Sequence, residues 1–207
     1  MEHVIKSVLT KQELDAAYAF FKKVFIGEAV LENPEYAIER WAERAEVYGD
    51  LMLYAAFESE VIGIVFGRLS DKNSLIIGPV AVDENFRKLG IAMEMMLLLE
   101  ERAKSHGVTL LRLGAVESAE NFYKKLGYTG SLLIQSQIHS IEQLASLSTK
   151  HKHRVVFTDV YDGRVNQLCL ELPRPDRELQ RQYEAAFPGC YTQMIYEKVI
   201  SGYSEST

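Results

Sequence analysis

A mixed α/β fold follows from three features of the sequence. Of the 207 residues, 47% are hydrophobic and 25% charged, with 13 Gly and 5 Pro, a composition that supports a packed core and excludes low-complexity or collagen-like chains. Helical apolar spacing over residues 11–48 gives way to three β-rich runs joined by turns of hairpin length. Strand and helix signals then alternate to the end of the chain. Against a typical domain of roughly 150 residues, the length fits one full domain with a small partner. We expect domains at 1–137 and 138–207, with the strand at 128–137 a candidate for sharing between them.

Each element has a local cause. Val4, Ile5 and Val8 read as a first strand. Thr10 and Glu13 have capping-box spacing ahead of Leu14, Ala17, Phe20, Phe21, Val24 and Phe25, which predicts a helix of about 15 residues. Asn33-Pro34 joins an N-cap side chain to a proline at the first helical position, predicting a helix that carries Tyr36, Ala37, Trp41 and Ala45 toward Tyr48. The runs Leu51–Phe57, Val61–Leu69 and Ser74–Val82 are strands, and the turns at Glu58-Ser59-Glu60 and Ser70–Asn73 make them antiparallel. Gly90 opens a helix from Ile91 to Ser105 that stops at Gly107, where a left-handed C-cap is expected. A strand at Val108–Leu113, a helix at Ser118–Leu126 closed by Gly127, and a strand at Tyr128–Gln137 predict a β-α-β crossover and hence a mixed sheet.

The pattern then restarts. Ser140 with Gln143 is a second capping box, and strands near Arg154–Val160 and Asn166–Leu172 flank the turn Tyr161-Asp162-Gly163. Pro175-Asp176 leads into a helix ending near Phe187, and Tyr191–Val199 is a closing strand. With the Tyr128–Gln137 strand this tail reads β-α-β-β-α-β, the element order of a small ferredoxin-like unit. Ser201–Thr207 is a polar tail expected to fray.

Charge and cysteine usage exclude several functions. Lys and Arg number 23 against 29 Asp and Glu, a net charge of −6, so no global positive field exists to hold nucleic acid. Cys169 and Cys190 are too few for a disulfide framework and lack zinc-site spacing, which makes a reducing cytoplasm the expected compartment. The longest apolar stretch, Met95–Leu99, is far short of the roughly 20 residues that span a bilayer. His151-Lys152-His153 lacks the carboxylate spacing of a metal site, and no base accompanies Cys190, so neither is expected to carry chemistry.

The segment from Gly78 to Ala92 is the informative one. A strand ending in Val80, Ala81 and Val82 passes through a polar turn with Arg87, Lys88 and Leu89 into a helix opened by Gly90, Ile91 and Ala92. The first N–H groups of such a helix lack internal partners, and small residues let a diphosphate approach the backbone. An ordinary strand-to-helix turn remains the alternative on this segment alone. Arg87-x-x-Gly90-x-Ala92 resembles the R/Q-x-x-G-x-G/A signature of the GNAT superfamily of acyl-CoA-dependent N-acyltransferases. Ser118–Tyr128, with Ala119, Phe122, Tyr123 and Gly127, is similar to that family's second motif, and the resemblance covers about residues 1–137.

The resemblance implies a GNAT-like fold followed by the small C-terminal unit. It also implies that the backbone around Arg87–Ala92 cradles the coenzyme A pyrophosphate and that Val80–Val82 hydrogen-bonds the pantetheine arm. A splay between the strands at Ser74–Val82 and Val108–Leu113 would admit the thioester. Tyr123 would protonate the departing thiolate. At an ordinary pKa near ~10 a phenol holds its proton at neutral pH, while packing as a core aromatic is its alternative. Many family members carry an Asn where this chain has Val116. The strand preceding the loop offers no acid between Asp71 and Asp83, so the base is sought in the cluster Glu28, Glu32 and Glu35, with Glu28 the candidate and a water relay the alternative.

The expected activity is transfer of an acetyl group from acetyl-CoA to a primary amine of a small molecule or peptide, without a metal. Net charge tilts the acceptor toward cationic amines. A non-catalytic acyl-CoA sensor is one alternative. An interaction protein that assembles through residues 138–207, for instance as a homodimer, is another.

Overall fold

The computed structural model describes residues 2–70, 73–151, 153–161 and 163–200. The expectation for Ser201–Thr207 therefore lies outside the described residues, as do Asp71, Lys72, Lys152 and Asp162. Two compact units compose the chain: residues to Leu111 joined by Val199 and Ile200, and Arg112–Lys198.

The first unit holds strands β1 (Val4–Ser7), β2 (Met52–Phe57), β3 (Glu60–Ser70) and β4 (Ser74–Val82), paired antiparallel in that order. Its helices are α1 (Lys11–Val24), α2 (Ile38–Tyr48) and α3 (Ile91–Ser105). Alternation along β3 sorts the two faces. Ile64 and Phe66 join the core made by α1 and α2, where the Trp41 ring meets Phe66 edge-on at 4.5 Å. Gly63 faces α3, and a Cβ there would stand 3.0 Å from Met95 Cε. Helix α3 is rich in Met, Leu, Glu and Ala, all good helix formers, and buries Ile91, Met95, Met96, Leu99 and Ala103 along one stripe.

The capping box of α1 is present as read, with Thr10 accepting from Glu13 N at 3.2 Å and Glu13 accepting from Thr10 N at 2.9 Å. Asn33-Pro34 departs from expectation. Asn33 caps only the 3-10 turn Pro34–Tyr36, after which Ala37 is extended at ψ 147°, and α2 starts afresh at Ile38. The extended residue breaks what was expected to be one helix.

A bulge interrupts β4. Val65 pairs with Val80 and Gly67 with Ile77, so Gly78 and Pro79 together face Phe66. Proline brings no N–H to the ladder and glycine no side chain, which is why this dipeptide suits such a point.

The second unit opens with the end of β5 (Leu110–Gly114) and holds α4 (Glu120–Lys125), β6 (Thr129–Ser136), α5 (Ile141–His151), β7 (Val155–Tyr161), β8 (Val165–Leu172), α6 (Arg177–Ala186) and β9 (Tyr191–Val199). The strand order is β9-β6-β8-β7 with antiparallel neighbours. Two antiparallel steps make β6 parallel to β7 with β8 between them, and β8 parallel to β9 with β6 between them. These are two interleaved split β-α-β units, each crossed over by a helix, α5 or α6.

The connection from β5 to β6 passes an inserted strand. β9 is inserted beside β5, where Arg112 Nε meets Glu197 Oε1 at 2.7 Å and Gln193 packs against Gly114. The last strand of the chain thus takes the edge that adjacency in sequence would have given to β6. With β6 paired on both edges to β8 and β9, compactness groups it with the C-terminal segment and places the division after Leu111, ahead of the boundary at 137 expected from the sequence.

Candidate functional site

Between β4 and α3 the chain builds a short, braced loop. Asp83 caps the 3-10 turn Glu84–Phe86 by accepting from Asn85 N at 3.0 Å, and Lys23 Nζ holds its other oxygen at 3.0 Å. The hydrogen bond from Lys23, helped by Asn85, keeps the Asp83 carboxyl below its ordinary range. Arg87 turns back, its Nε donating to Val82 O at 3.2 Å, so this arginine also staples the loop to the strand.

Lys88 and Gly90 then adopt left-handed conformations, with φ of 64° and 88°. Gly90 is the N-cap of α3, and no side chain caps this end. The first bond of the helix runs from Glu94 N to Gly90 O at 3.0 Å, which leaves the N–H groups of Ile91, Ala92 and Met93 as the orphan donors of the first turn. A Cβ on Gly90 would meet only Glu94 Oε1, at 3.5 Å, so the approach to these donors is open. Arg87, Lys88 and Leu89 are exposed around it, whereas Ile91 is buried under the helix. Exposed cations, a helix dipole and open backbone donors together fit a diphosphate. Glu94 lies in the same first turn, and His3 Nε2 stands 2.9 Å from its Oε2. Upstream, Val80 is half-buried, Ala81 faces the core of α1 and α2, and Val82 faces Gly63.

Tyr123 is in the second unit, on α4. It is 5% exposed, among the rings of Phe122 at 5.0 Å and of Tyr128 and Tyr196 at 5.8 Å. Burial pushes its pKa up to about 12, so the phenol keeps its proton throughout the neutral range. In the same helix, buried Glu120 is held by Arg177 Nε at 2.7 Å. Val116 is 70% exposed just before α4.

The three acids of the cluster have different settings. Glu28 and Glu32 are exposed at the two ends of a 3-10 turn, Ala29–Glu32. Glu35 is committed to Arg44, whose Nη2 lies 2.7 Å from Glu35 Oε2. Among the described residues no group of three or more His, Cys, Asp and Glu could hold a metal. Arg154 pairs with Glu171, and Cys190 Sγ donates to Tyr183 O at 3.7 Å.

Sequence reasoning missed Gly78-Pro79 as a bulge with Tyr36 over it, and the arginines Arg44 and Arg68 that meet at Glu35 next to Tyr36. The Tyr36 hydroxyl lies 3.4 Å from where a Cβ on Gly78 would stand. The available signals were a Gly-Pro pair inside a strand and an arginine continuing the inward alternation of Ile64 and Phe66.

A family model described as the acetyltransferase (GNAT) family matches residues 13–128, more than half of the chain. The chain belongs to that family. No curated protein sequence gives a significant match. Among solved structures, a GNAT-family acetyltransferase from Staphylococcus aureus is similar over 97% of this chain and 100% of its own, with 15% identity and a TM-score of 0.57. Another N-acetyltransferase from that organism is similar over 84% of this chain and 99% of its own, with 16% identity and a TM-score of 0.53. A diaminobutyrate acetyltransferase from Paenibacillus lautus, whose structure contains L-2,4-diaminobutyric acid and coenzyme A, is similar over 84% of this chain and 97% of its own, with 15% identity and a TM-score of 0.50. At these identities the likeness is one of fold. Among the described residues, no helix is long and apolar enough to cross a membrane.

Proposed function

We propose that this GNAT-family acetyltransferase takes acetyl-CoA as donor and moves the acetyl group to a primary amine by direct attack. The observation that carries the reading is the open N-terminus of α3, glycine-capped, exposed and flanked by Arg87 and Lys88. The Paenibacillus lautus enzyme, with coenzyme A and a diamino acid in its structure, supports both halves of it.

In this reading the N–H groups of Ile91 and Ala92, with Leu89 and Gly90 at the turn, hold the diphosphate, and the backbone of Val80–Val82 binds the pantetheine arm. The amine nitrogen attacks the thioester carbonyl, a tetrahedral intermediate forms, and its collapse makes the amide and expels the thiolate. Glu28 accepts the amine proton. Tyr123 donates to the departing sulfur. With its pKa near 12 against about 8.5 for a free thiol, full transfer is uphill, so the phenol acts chiefly as a hydrogen-bond donor to the developing thiolate.

A panel of primary amines with acetyl-CoA, read by release of free thiol, tests the assignment. Turnover of at least one amine and a raised unfolding midpoint with millimolar acetyl-CoA are expected. Coenzyme binding without turnover would replace it with the acyl-CoA sensor, a reading that the exposed Val116 and the acid-free β4 favour.

A further inference from the structure

The strongest feature outside the coenzyme loop is a pair of arginines that meet at Glu35, next to the tyrosine that covers the β4 bulge. Arg68 follows Ile64 and Phe66 on the face of β3 that packs against α1 and α2. Alternation calls for an apolar side chain there, and a guanidinium takes its place. Arg44, on α2, has a side chain only 15% exposed and donates to Glu35 O at 2.9 Å and to Glu35 Oε2 at 2.7 Å. Arg68 Nε approaches that same carboxylate oxygen, but at 3.6 Å, outside hydrogen-bond reach.

Two guanidinium groups therefore share one carboxylate, leaving an excess positive charge at a half-covered position. Arg68 is 36% exposed along its side chain and Glu35 52%, whereas Arg44 is 15%, so the Glu35 carboxylate is the most solvent-accessible member of the cluster. Tyr36 and Tyr48 complete the surroundings. Burial raises both phenols above their ordinary value, which keeps them neutral donors.

Location gives the cluster its meaning. The Tyr36 hydroxyl reaches over Gly78, and Gly78 precedes Val82 by four residues, roughly 13 Å along an extended strand. A coenzyme whose diphosphate sits at the N-terminus of α3 and whose arm runs back along β4 brings its acyl end toward the bulge. The acceptor must present its amine there, with the rest of the molecule beside Arg68 and Arg44.

We propose that the acceptor is an amino carboxylate, whose carboxylate replaces that of Glu35 between Arg68 and Arg44. This inference rests on the acetyltransferase reading above and names its substrate class. It also overrides the tilt toward cationic amines drawn from net charge, because a local arginine pair at the acceptor position outweighs a diffuse negative field. Arg68 has the fork to hold a carboxylate through two parallel hydrogen bonds. Glu35 occupies that place in the free protein.

The test compares matched acceptors, amino acids against their carboxamides and against the corresponding decarboxylated amines, each with acetyl-CoA and read by thiol release. Wild type is expected to favour the carboxylates in kcat/KM by about 10- to 100-fold, the scale of one or two hydrogen bonds to a charged group. Arg68→Gln should lose that preference through KM, with kcat and the thermal shift by acetyl-CoA little changed, and Arg68→Lys should restore part of it. Glu35→Gln should lower KM for the carboxylates, which an ion pair serving only the fold would not do.

A wild type indifferent to the carboxylate, an Arg68→Gln variant that keeps the preference, or an unchanged or raised KM in Glu35→Gln overturns the proposal. Acetyl-CoA binding without turnover of any amino carboxylate overturns it too. Absence of any thermal shift with acetyl-CoA in the wild type overturns the acetyltransferase reading itself, and this proposal with it.

Discussion

Helices α1 and α3 begin in opposite ways. At α1, Thr10 and Glu13 close the end reciprocally, and the single oxygen Oε2 of Glu13 takes hydrogen bonds from Leu9 N, Thr10 N and Thr10 Oγ1. At α3 the cap is a left-handed glycine, and no side chain accepts from the first-turn donors. The α5 and α6 starts follow the α1 pattern, capped by Ser140 with Gln143 and by Asp176. Helix α2 also starts without a side-chain cap, but directly behind the 3-10 turn capped by Asn33. Helix α4 likewise has no side-chain cap and continues from the 3-10 turn Glu117–Ala119, so among the described helices α3 is set apart by its left-handed glycine, where a ligand can supply the missing acceptors.

Filling that opening should have the largest effect. Gly90→Glu places a side chain and a negative charge over the open donors, and coenzyme affinity is expected to fall by at least about 100-fold, the scale of losing two charge-assisted hydrogen bonds. Gly90→Ala adds only a methyl at φ 88° and should cost about 1 kcal/mol of stability with a much smaller loss of affinity. Calorimetric titration with acetyl-CoA, with circular dichroism to confirm the fold, reads both. Unchanged affinity in folded Gly90→Glu would move the anion site away from α3.

A buried side-chain donor provides the contrast to these open backbone donors. Tyr123→Phe removes one hydroxyl from an aromatic cluster and keeps the rings, so the fold and the coenzyme affinity should survive while kcat falls by roughly 10²-fold. Equal kcat in variant and parent would return Tyr123 to the core. Glu28→Gln should lower kcat/KM with the loss greatest at low pH, where amine deprotonation is hardest. A loss independent of pH, or none, would favour the water relay.

What was legible in the sequence follows the range of the interactions. The α1 box, the Gly90 start and the three hairpin-linked strands depend on residues a few positions apart, and all can be read from spacing. The insertion of β9 beside β5 joins Arg112 to Glu197, and the Arg44–Glu35–Arg68 cluster joins α2 to β3. Such pairings are set by which edges remain free once the chain has collapsed, and no local pattern encodes them. Asn33-Pro34 shows the intermediate case: the cap is legible in the sequence, but the extended Ala37 that ends its turn has no signature of its own. At the site, the Gly90 loop was therefore visible, while Arg68 was hidden behind its role as one more strand residue.

The closed end of α1 should yield the smallest effect and the one with a defined pH signature. Burial alone would raise the pKa of Glu13, but the hydrogen bonds from Leu9, Thr10 and Tyr54 outweigh it and bring the carboxyl below its ordinary 4.5; Tyr54 Oη donates to Oε1 at 2.9 Å. A carboxyl whose pKa is lower folded than unfolded contributes stability that is fully present above the unfolded value and is lost as pH falls through the folded one. Glu13→Gln keeps the size of the side chain but turns a multiple acceptor into a half-donor facing four N–H and O–H groups. At neutral pH the variant should be less stable by about 1 kcal/mol, the usual scale of a helix cap, with acetyl-CoA affinity unchanged. As pH falls below the folded pKa of Glu13, the wild-type carboxyl protonates and the difference should close. Urea unfolding of both proteins across the acid range measures it. A gap that stays constant down to about pH 2, below any ordinary carboxyl, would mean that packing and not the carboxylate charge closes this helix, and would remove α1 as the electrostatic counterpart of the open α3.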